Sequence, residues 1–575
     1  MTLTGEDPSV LGPEARAGAL DSIAHAPLDL IVIGGGVTGA GTALDASLRG
    51  LDVALFEQRD LASGTSSRSS KLIHGGLRYL EQLDLKLVFE ALQERGLFLQ
   101  RLCPHLVRPV SFVYPLRHRF WERPYVGAGV FLYDLFASRG DNPLPRHRHL
   151  GRRAALELVP ALDPDSLVGA IRYWDAQVDD ARHTLAVART AAGLGARILT
   201  RTQVIGLLRD GERVRGVEIE CLETGRRIEV EAAVVVSAAG VWTDEIEDMA
   251  GHRPITVRAS KGVHIVVPRS AIEMDEPDTG LIVRTEKSIL LVIPWEDDHW
   301  IIGTTDTPWD ESVDHPAATR SDIDYLLDRV NQILRRPVRH EDIVGVYVGV
   351  RPLVETEDTD TTDVSREHVI ARPRPGLVTV AGGKYTTYRV MAADAVDAAA
   401  EVIGRELPPS STEDFPLIGA DGYESLWTSR AELAREHGLP TATIEHLLSR
   451  HGDRIGEVLA GTAVRPELLK PITGGAPYLR AEVVHAVTHE GALHLEDVLT
   501  RRTRLSIETP DRGLGAAPEV AGLMARELGW DSVTTEAELG AYRERVAAER
   551  ASQEVVDDST AAQVRNLAPD VRPVR

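Results

Sequence analysis

Asp29-Leu-Ile-Val-Ile-Gly34-Gly-Gly36-Val-Thr-Gly39, answered further on by Val53-Ala-Leu-Phe56-Glu57, is the stretch from which the fold of this chain is read. Leu30 to Ile33 has the unbroken apolar character of a buried strand, the glycines make a tight turn, and a helix begins at about Val37. Gly34 permits the turn, Gly36 lets the backbone approach a pyrophosphate, and Gly39 lets helix and strand pack closely. The helix N-terminus offers N–H groups and positive dipole character to phosphates. Val53 to Phe56 is a second strand, and it delivers Glu57, 23 residues after Gly34, where a carboxylate accepts from a ribose diol. A lone G-x-G-x-x-G is weak evidence; with strand, helix, second strand and terminal acid in register it specifies an adenine dinucleotide.

The bulk properties are those of a large enzyme. A chain of 575 residues has room for two or three domains with full cores. Its formal net charge of −23 argues against nucleic acid as a partner, because phosphate contacts need basic surface. Cys103 and Cys221 are the only cysteines, which leaves no disulfide framework or cysteine metal cluster and points to a reducing compartment. The first 27 residues are polar and rich in Ala, Pro and Gly, so they are expected to form a disordered extension rather than a signal peptide. No run of about 18 apolar residues exists to span a bilayer.

One segment departs from the acidity. Between Arg101 and Arg153 ten arginines stand against three acids, interleaved with Phe112, Tyr114, Phe120, Trp121, Tyr125, Phe131, Tyr133 and Phe136. Tyr125 to Ala137 is nearly all apolar, too short to cross a membrane and long enough to lie in its interface. A core helix flanked by solvated arginines fits the same residues equally well.

After Glu57 a hydroxyl-rich run follows, Gln58 to Lys71, suited to passing under a long cofactor. Asp-Leu-Ala-Ser-Gly-Thr-Ser-Ser (60–67) and Ser-Ser-Lys-Leu-Ile-His-Gly-Gly-Leu-Arg-Tyr-Leu-Glu (69–81) are followed by Val-Asp-Asp-Ala-Arg (178–182), Lys-Gly-Val-His-Ile-Val-Val-Pro (261–268), Ile-Ile-Gly-Thr-Thr-Asp (301–306), Gly-Val-Arg-Pro-Leu (349–353) and Gly-Gly-Lys-Tyr-Thr-Thr-Tyr-Arg (382–389). This ordered set closely resembles the aerobic, FAD-dependent glycerol-3-phosphate dehydrogenase family, from about Asp29 to Arg389 and more weakly to about residue 550. Read without that resemblance, Leu377 to Ala381 is a strand that ends at a Gly-Gly turn, with Lys384 placed to bind an anion and a helix following from Thr386. Val234 to Ala238 is likewise a strand ending at a glycine turn.

The resemblance implies FAD as cofactor and oxidation of sn-glycerol 3-phosphate at C2 to dihydroxyacetone phosphate, by hydride transfer to flavin N5, with electrons passed to a membrane quinone. It assigns Gly34, Gly36, Gly39, Glu57, Thr65, Ser66, Ser67, Ser70, Leu72, His74, Gly75, Gly76, Val204, Gly240, Trp242, Gly383, Lys384 and Thr386 to the cofactor. Arg78, Tyr79, Thr305, Arg351, Arg366 and Lys384 fall to the substrate, where converging guanidinium and ammonium donors suit a phosphate. His264 is the first candidate for the base at the C2 hydroxyl and His74 the second, with Arg351 beside them for the developing alkoxide. The protein is then expected at the inner face of the cell membrane, as a homo-oligomer attached peripherally, with 101–153 against the lipid.

The architecture expected is α/β: a discontinuous Rossmann-like FAD-binding domain (28–105, 160–250 and 372–403), an antiparallel-sheet substrate domain (106–159 and 251–371), a linker at Pro408–Thr412, a C-terminal helical domain (413–555) and a disordered tail (556–575). Three other functions stay open at this point: an oxidase of the same substrate using oxygen, a related flavin-dependent amine or amino-acid oxidase, and a non-catalytic flavin-binding module that docks proteins to membranes.

Overall fold

The computed structural model describes residues 7–76, 85–118, 120–138, 143–285, 289–296, 298–356, 368–475 and 477–574. At its centre the strand Leu28–Ile33 runs parallel between Val53–Phe56 and Arg226–Ser237. Leu377–Gly382 and Arg197–Leu199 extend the sheet in parallel, and His368–Arg374 closes one edge antiparallel. Side chains alternate across a strand, so the central strand feeds two cores. Leu30 and Val32 pack with the helices Val37–Leu48, Asp180–Gly193 and Tyr388–Ile403. Ile31 and Ile33 pack with the ribbon Thr202–Asp210 and Arg213–Cys221. Burial on both faces is what made this strand read as a continuous apolar run.

The glycine turn has the geometry its residues require. Gly34 sits at φ +112°, and a Cβ on Gly39 would lie 1.9 Å from the Gly34 carbonyl oxygen. Any side chain there forces the helix away from the strand.

The second sheet carries Val107–Leu116, Gly169–Val178, Ile255–Pro268, Thr279–Arg284, Ile289–Trp295, His299–Gly303 and Gly345–Thr356. Its pairings among the described residues are antiparallel except where Thr279–Arg284 runs alongside Val107–Leu116. The helix Arg320–Asn331 covers one face through Leu326, Leu327 and Val330. The helix Glu122–Ala137 covers the other through Val126, Val130 and Tyr133. Beyond residue 412, the helices Thr441–His451, Arg480–Thr488, Ala517–Leu528 and Ser532–Ser552 share a core of their own.

Three expectations are corrected. The N-terminal residues are not disordered throughout: Pro13–Ser22 is a helix whose Leu20, with Ile23, joins the core under the ribbon, and Arg16 donates to the Thr200 carbonyl at 2.9 Å. The tail folds too. Asp558–Arg565 is a helix that buries Ala561 and Ala562 against Trp309 and Val350, and Asp570 pairs with Arg59 at 2.7 Å. In both segments a few small or isolated apolar residues find a tertiary partner that composition does not reveal. Lastly, Gly169–Val178 belongs to the second sheet, where it pairs with Val107–Leu116 along its whole length, and not to the dinucleotide domain.

Candidate active site

Two cavities meet at Lys384. The first, about 220 Å³, runs from Glu57 past the glycine turn to Gly383 and Lys384. The second, about 300 Å³, lies between the sheets and is lined by His264, Arg351, His74 and Thr304 on one side and by Gly383 and Lys384 on the other.

The first cavity fits an adenine dinucleotide flavin. Val37, in the first turn of its helix, donates N–H to Ser66 Oγ at 2.9 Å, which ties the hydroxyl segment to the phosphate-binding end. The Glu57 carboxylate is oriented by Gly35 N–H on Oε2 and Arg59 N–H on Oε1, both at 2.7 Å. Burial raises its pKa against the pull of those two donors. Thr202 and Val204 line the same end, and Gly240 and Trp242 the middle. Trp242 Nε1 donates to Asp314 at 3.1 Å, fixing the indole. Thr65 Oγ1 donates to the Val350 carbonyl at 2.6 Å, so the cofactor segment is bonded directly to the strand that carries Arg351.

The second cavity is built from a long antiparallel pair, Ile255–Pro268 with Gly345–Thr356, in which His264 faces Tyr347 and Gly262 faces Gly349. His264 is 2 % exposed, and its ring stacks on Tyr347 with centroids 4.6 Å apart. Its Nε2 shares a hydrogen bond of 2.9 Å with Ser70 Oγ, and Nδ1 has no hydrogen-bond partner among the described residues. Burial, then Arg351 and Lys71, hold its pKa well below the usual imidazole value, so it is neutral at neutral pH. Arg351 donates from Nη2 to Thr304 Oγ1 at 3.1 Å and to the Thr305 carbonyl at 3.3 Å, with Asp306 at 3.5 Å. A Cβ on Gly262 would stand 2.6 Å from that guanidinium, so the glycine makes the space it occupies.

Beneath the serine segment lies a buried ionic network. Lys71 Nζ donates to Asp180 Oδ1 at 2.7 Å and to the Ser67 carbonyl at 3.1 Å, and it sits over the rings of Tyr347 and Trp295. Ser69 donates to Asp180 through its N–H and its hydroxyl. Arg504, from the C-terminal domain, donates to Asp180 at 2.7 Å and also to Asp179. Arg501 and Arg502 both reach Asp60, at 2.5 and 2.7 Å.

Of the residues singled out in sequence, His264, His74, Arg351, Lys384, Ser70, Leu72, Gly76 and Thr386 come together on the second cavity. Gly34, Gly36, Glu57, Ser66, Val204, Gly240 and Trp242 line the first, while Thr65, Gly383 and Lys384 touch both. Four do not reach either space. Thr305 turns its hydroxyl to the backbone, accepting from Val263 N–H at 2.9 Å, and it is Thr304 that faces the cavity. Ser67 serves through its carbonyl, as the acceptor for Lys71. Gly75 packs against Leu92 and Tyr133 and donates its N–H to Tyr133, and Gly39 is a packing residue. Arg78, Tyr79 and Arg366 lie outside the described residues. Thr304, Asp306, Asp175 and the Lys71–Asp180–Arg504 network were not singled out in sequence. For Lys71 and Asp180 the signal was present, because both lie inside motifs already quoted.

A family model described as FAD dependent oxidoreductase matches residues 29–389, and one for the C-terminal domain of alpha-glycerophosphate oxidase matches 410–535. A glycerol-3-phosphate dehydrogenase of Mycobacterium leprae is 53% identical over 565 residues, covering 98% of this chain and 96% of that protein. The mitochondrial glycerol-3-phosphate dehydrogenase of Mus musculus is 38% identical over 92% of this chain and 74% of its own. The crystal structure of a glycerol-3-phosphate dehydrogenase from Bacillus halodurans complexed with FAD superposes with a TM-score of 0.76 at 26% identity, covering 93% of this chain and 98% of that one.

Proposed function

The chain belongs to the FAD-dependent glycerol-3-phosphate dehydrogenase family, and from that premise we propose that it oxidises sn-glycerol 3-phosphate at C2 to dihydroxyacetone phosphate. The observation that carries this is the placing of a buried neutral imidazole, a braced guanidinium and a lysine around one cavity that opens onto the cofactor cavity. FAD, when bound, supplies the acceptor for the C2 hydride. The protein's own residues do the rest. Arg351 and Lys384 bind the phosphate and the developing alkoxide, since a guanidinium fork suits phosphate geometry and an ammonium serves as a point charge. His264 takes the proton of the C2 hydroxyl. The substrate's phosphate charge offsets the field of Arg351 and Lys71, so His264 becomes more basic when substrate binds than it is in the free protein. Ser70 holds the ring in place.

The electrons are proposed to pass to a membrane quinone. Supporting this is the helix Glu122–Ala137, whose outer face exposes Tyr125 at 52 %, Phe131 at 61 % and Leu135 at 42 %, next to Phe120 at 89 % and Trp121 at 50 %. Exposed arginines 117, 146 and 148 flank it. Large exposed apolar side chains rimmed by cations suit an anionic lipid surface, and no helix among the described residues is long and apolar enough to cross a membrane. Oxygen as acceptor is a second reading, because the C-terminal segment matches the oxidase-derived family model.

Anaerobic titration of the yellow protein with sn-glycerol 3-phosphate tests the reading. Bleaching of the flavin band is expected, and recovery on adding a quinone analogue but not on admitting air identifies the acceptor. A flavin that stays oxidised with this substrate overturns the proposal.

A further inference from the structure

A separate cavity of about 70 Å³ opens where the dinucleotide domain, the substrate domain and the C-terminal helices meet. Its wall carries Arg68 from the serine segment, Arg501 and Arg504 from the stretch after Leu495, and Arg545, Glu549 and Arg565 from the last two helices. Two of these arginines have full partners elsewhere: Arg501 is held by Asp60 and Asp497, at 2.5 and 2.6 Å, and Arg504 by Asp179 and Asp180. Arg545 takes both nearby carboxylates, which leaves Arg68 and Arg565 short of negative charge. Arg545 pairs with Glu549 at 2.9 Å and Glu496 at 3.4 Å, and Arg565 reaches the same Glu549 only at 3.7 Å. Arg68 has no carboxylate within ion-pair distance among the described residues and donates to the Val348 carbonyl at 3.4 Å.

Counting Arg501, 3.5 Å from Glu496, four guanidiniums therefore crowd around two carboxylates. Burial, followed by the neighbouring charge of Arg545, pushes Arg68 down to about 10, and Arg565 is lowered as well. Desolvated arginines are stable when an anion accepts their hydrogen bonds. The chemistry of the wall sets the class of that anion, because several guanidiniums converging on one small space suit an oxyanion with several acceptor oxygens. A small tetrahedral ion is the simplest ligand of that kind.

We propose that this cavity, which shares Arg68 with the wall of the substrate cavity, is a second anion site that binds one phosphate-class oxyanion through Arg68, Arg545 and Arg565. The site is coupled to the reaction centre along the backbone. Arg68 is followed by Ser69, bonded to Asp180, and by Ser70, bonded to His264. An anion on Arg68 thus anchors the segment that holds the base.

The test is equilibrium dialysis of the FAD-loaded full chain against radiolabelled inorganic phosphate, with chloride adjusted to keep ionic strength constant. In the double variant Arg351→Gln, Lys384→Gln, which strips the substrate cavity, one phosphate per chain is expected to remain. Adding Arg565→Gln to that background weakens it about tenfold, the worth of one charge-assisted hydrogen bond. Adding Glu549→Gln instead tightens it, since it removes a competing carboxylate. The opposite signs matter, because a damaged fold weakens binding in both. No phosphate left in the double variant overturns the proposal, as does residual binding that responds to neither Arg565 nor Glu549.

Discussion

His264 acts at the scale of single atoms: one nitrogen on Ser70, a ring face on Tyr347 and a charge state set by burial and by Arg351. Replacing it by Asn keeps a polar side chain that can still bond Ser70 and removes the basicity. The His264→Asn protein is expected to keep its flavin spectrum while its rate of anaerobic flavin reduction falls about 10²- to 10⁴-fold, the range for loss of a general base; stopped-flow absorbance measures this directly. An equal loss in His74→Asn with His264 intact would move the role to the second histidine. Much of this site was legible in the sequence, because His264, Arg351 and Lys384 each lie in a motif that quotes the surrounding strand or turn. The threonine error shows where legibility stops. Thr304 and Thr305 are adjacent at the end of the His299–Gly303 strand, and neighbouring residues there face opposite sides, so a motif names the pair without saying which one faces the cavity.

Among the elements, the stretch Leu495–Arg504 matters most and was least legible. Sequence placed it in a helical domain with no visible chemistry. In the structure a three-residue helix runs into a wider turn, and this aims Arg501, Arg502 and Arg504 back at Asp60, Asp179 and Asp180. The partners are 324 residues apart for Arg504 and Asp180, and no local pattern encodes such a pairing. Arg504→Met removes the shortest partner of Asp179 and one of two cations on Asp180, leaving Arg450 and Lys71, and breaking a buried pair costs up to about 3–5 kcal/mol. Denaturant unfolding of the holoprotein should show it, accompanied by weaker FAD retention because the serine segment rests on the same network. The helix Glu122–Ala137 poses the opposite case: its sequence supported either a core or a membrane face, and the structure packs Val130 and Tyr133 into the core while leaving Phe131 exposed. Phe131→Asp is expected to reduce sedimentation with anionic vesicles several-fold, while turnover with a soluble dye acceptor is unchanged.

For the whole molecule, pH is the variable that many sites feel together. His105, His183 and His451 are buried and held near 3, His489 near 4, and His264 well below its ordinary value. In the unfolded chain each takes a proton near pH 6.5, while the folded state refuses it, so below that pH the unfolded state binds more protons and stability falls. The slope is about 1.4 kcal/mol per pH unit for each such histidine. His494 has the opposite sense: burial works against its charge, but Glu223 and Glu538 raise it to about 9, so its contribution is complete below 6.5 and is lost only as pH climbs through 9. The carboxylates with lowered values, such as Glu223 at about 2, add their losses only below about pH 4.5. A melting temperature that falls steeply between pH 6.5 and 5 is therefore expected, and a flat profile there would falsify the burial of these imidazoles. The first sheet was readable from its glycine turns and the C-terminal helices from their spacing, whereas no pattern of periodicity pointed to the second sheet. The folded ends were not readable either, because each is held by few contacts made to distant strands. The clamp of Arg501, Arg502 and Arg504 has a last consequence, in the order of synthesis. A ribosome delivers Asp60, Asp179 and Asp180 hundreds of residues before Arg501, Arg502 and Arg504, so the nascent chain lacks these partners until its final portion emerges. A product cut short of residue 501 is therefore expected to retain less flavin than the full chain, which the visible absorbance of the purified product measures.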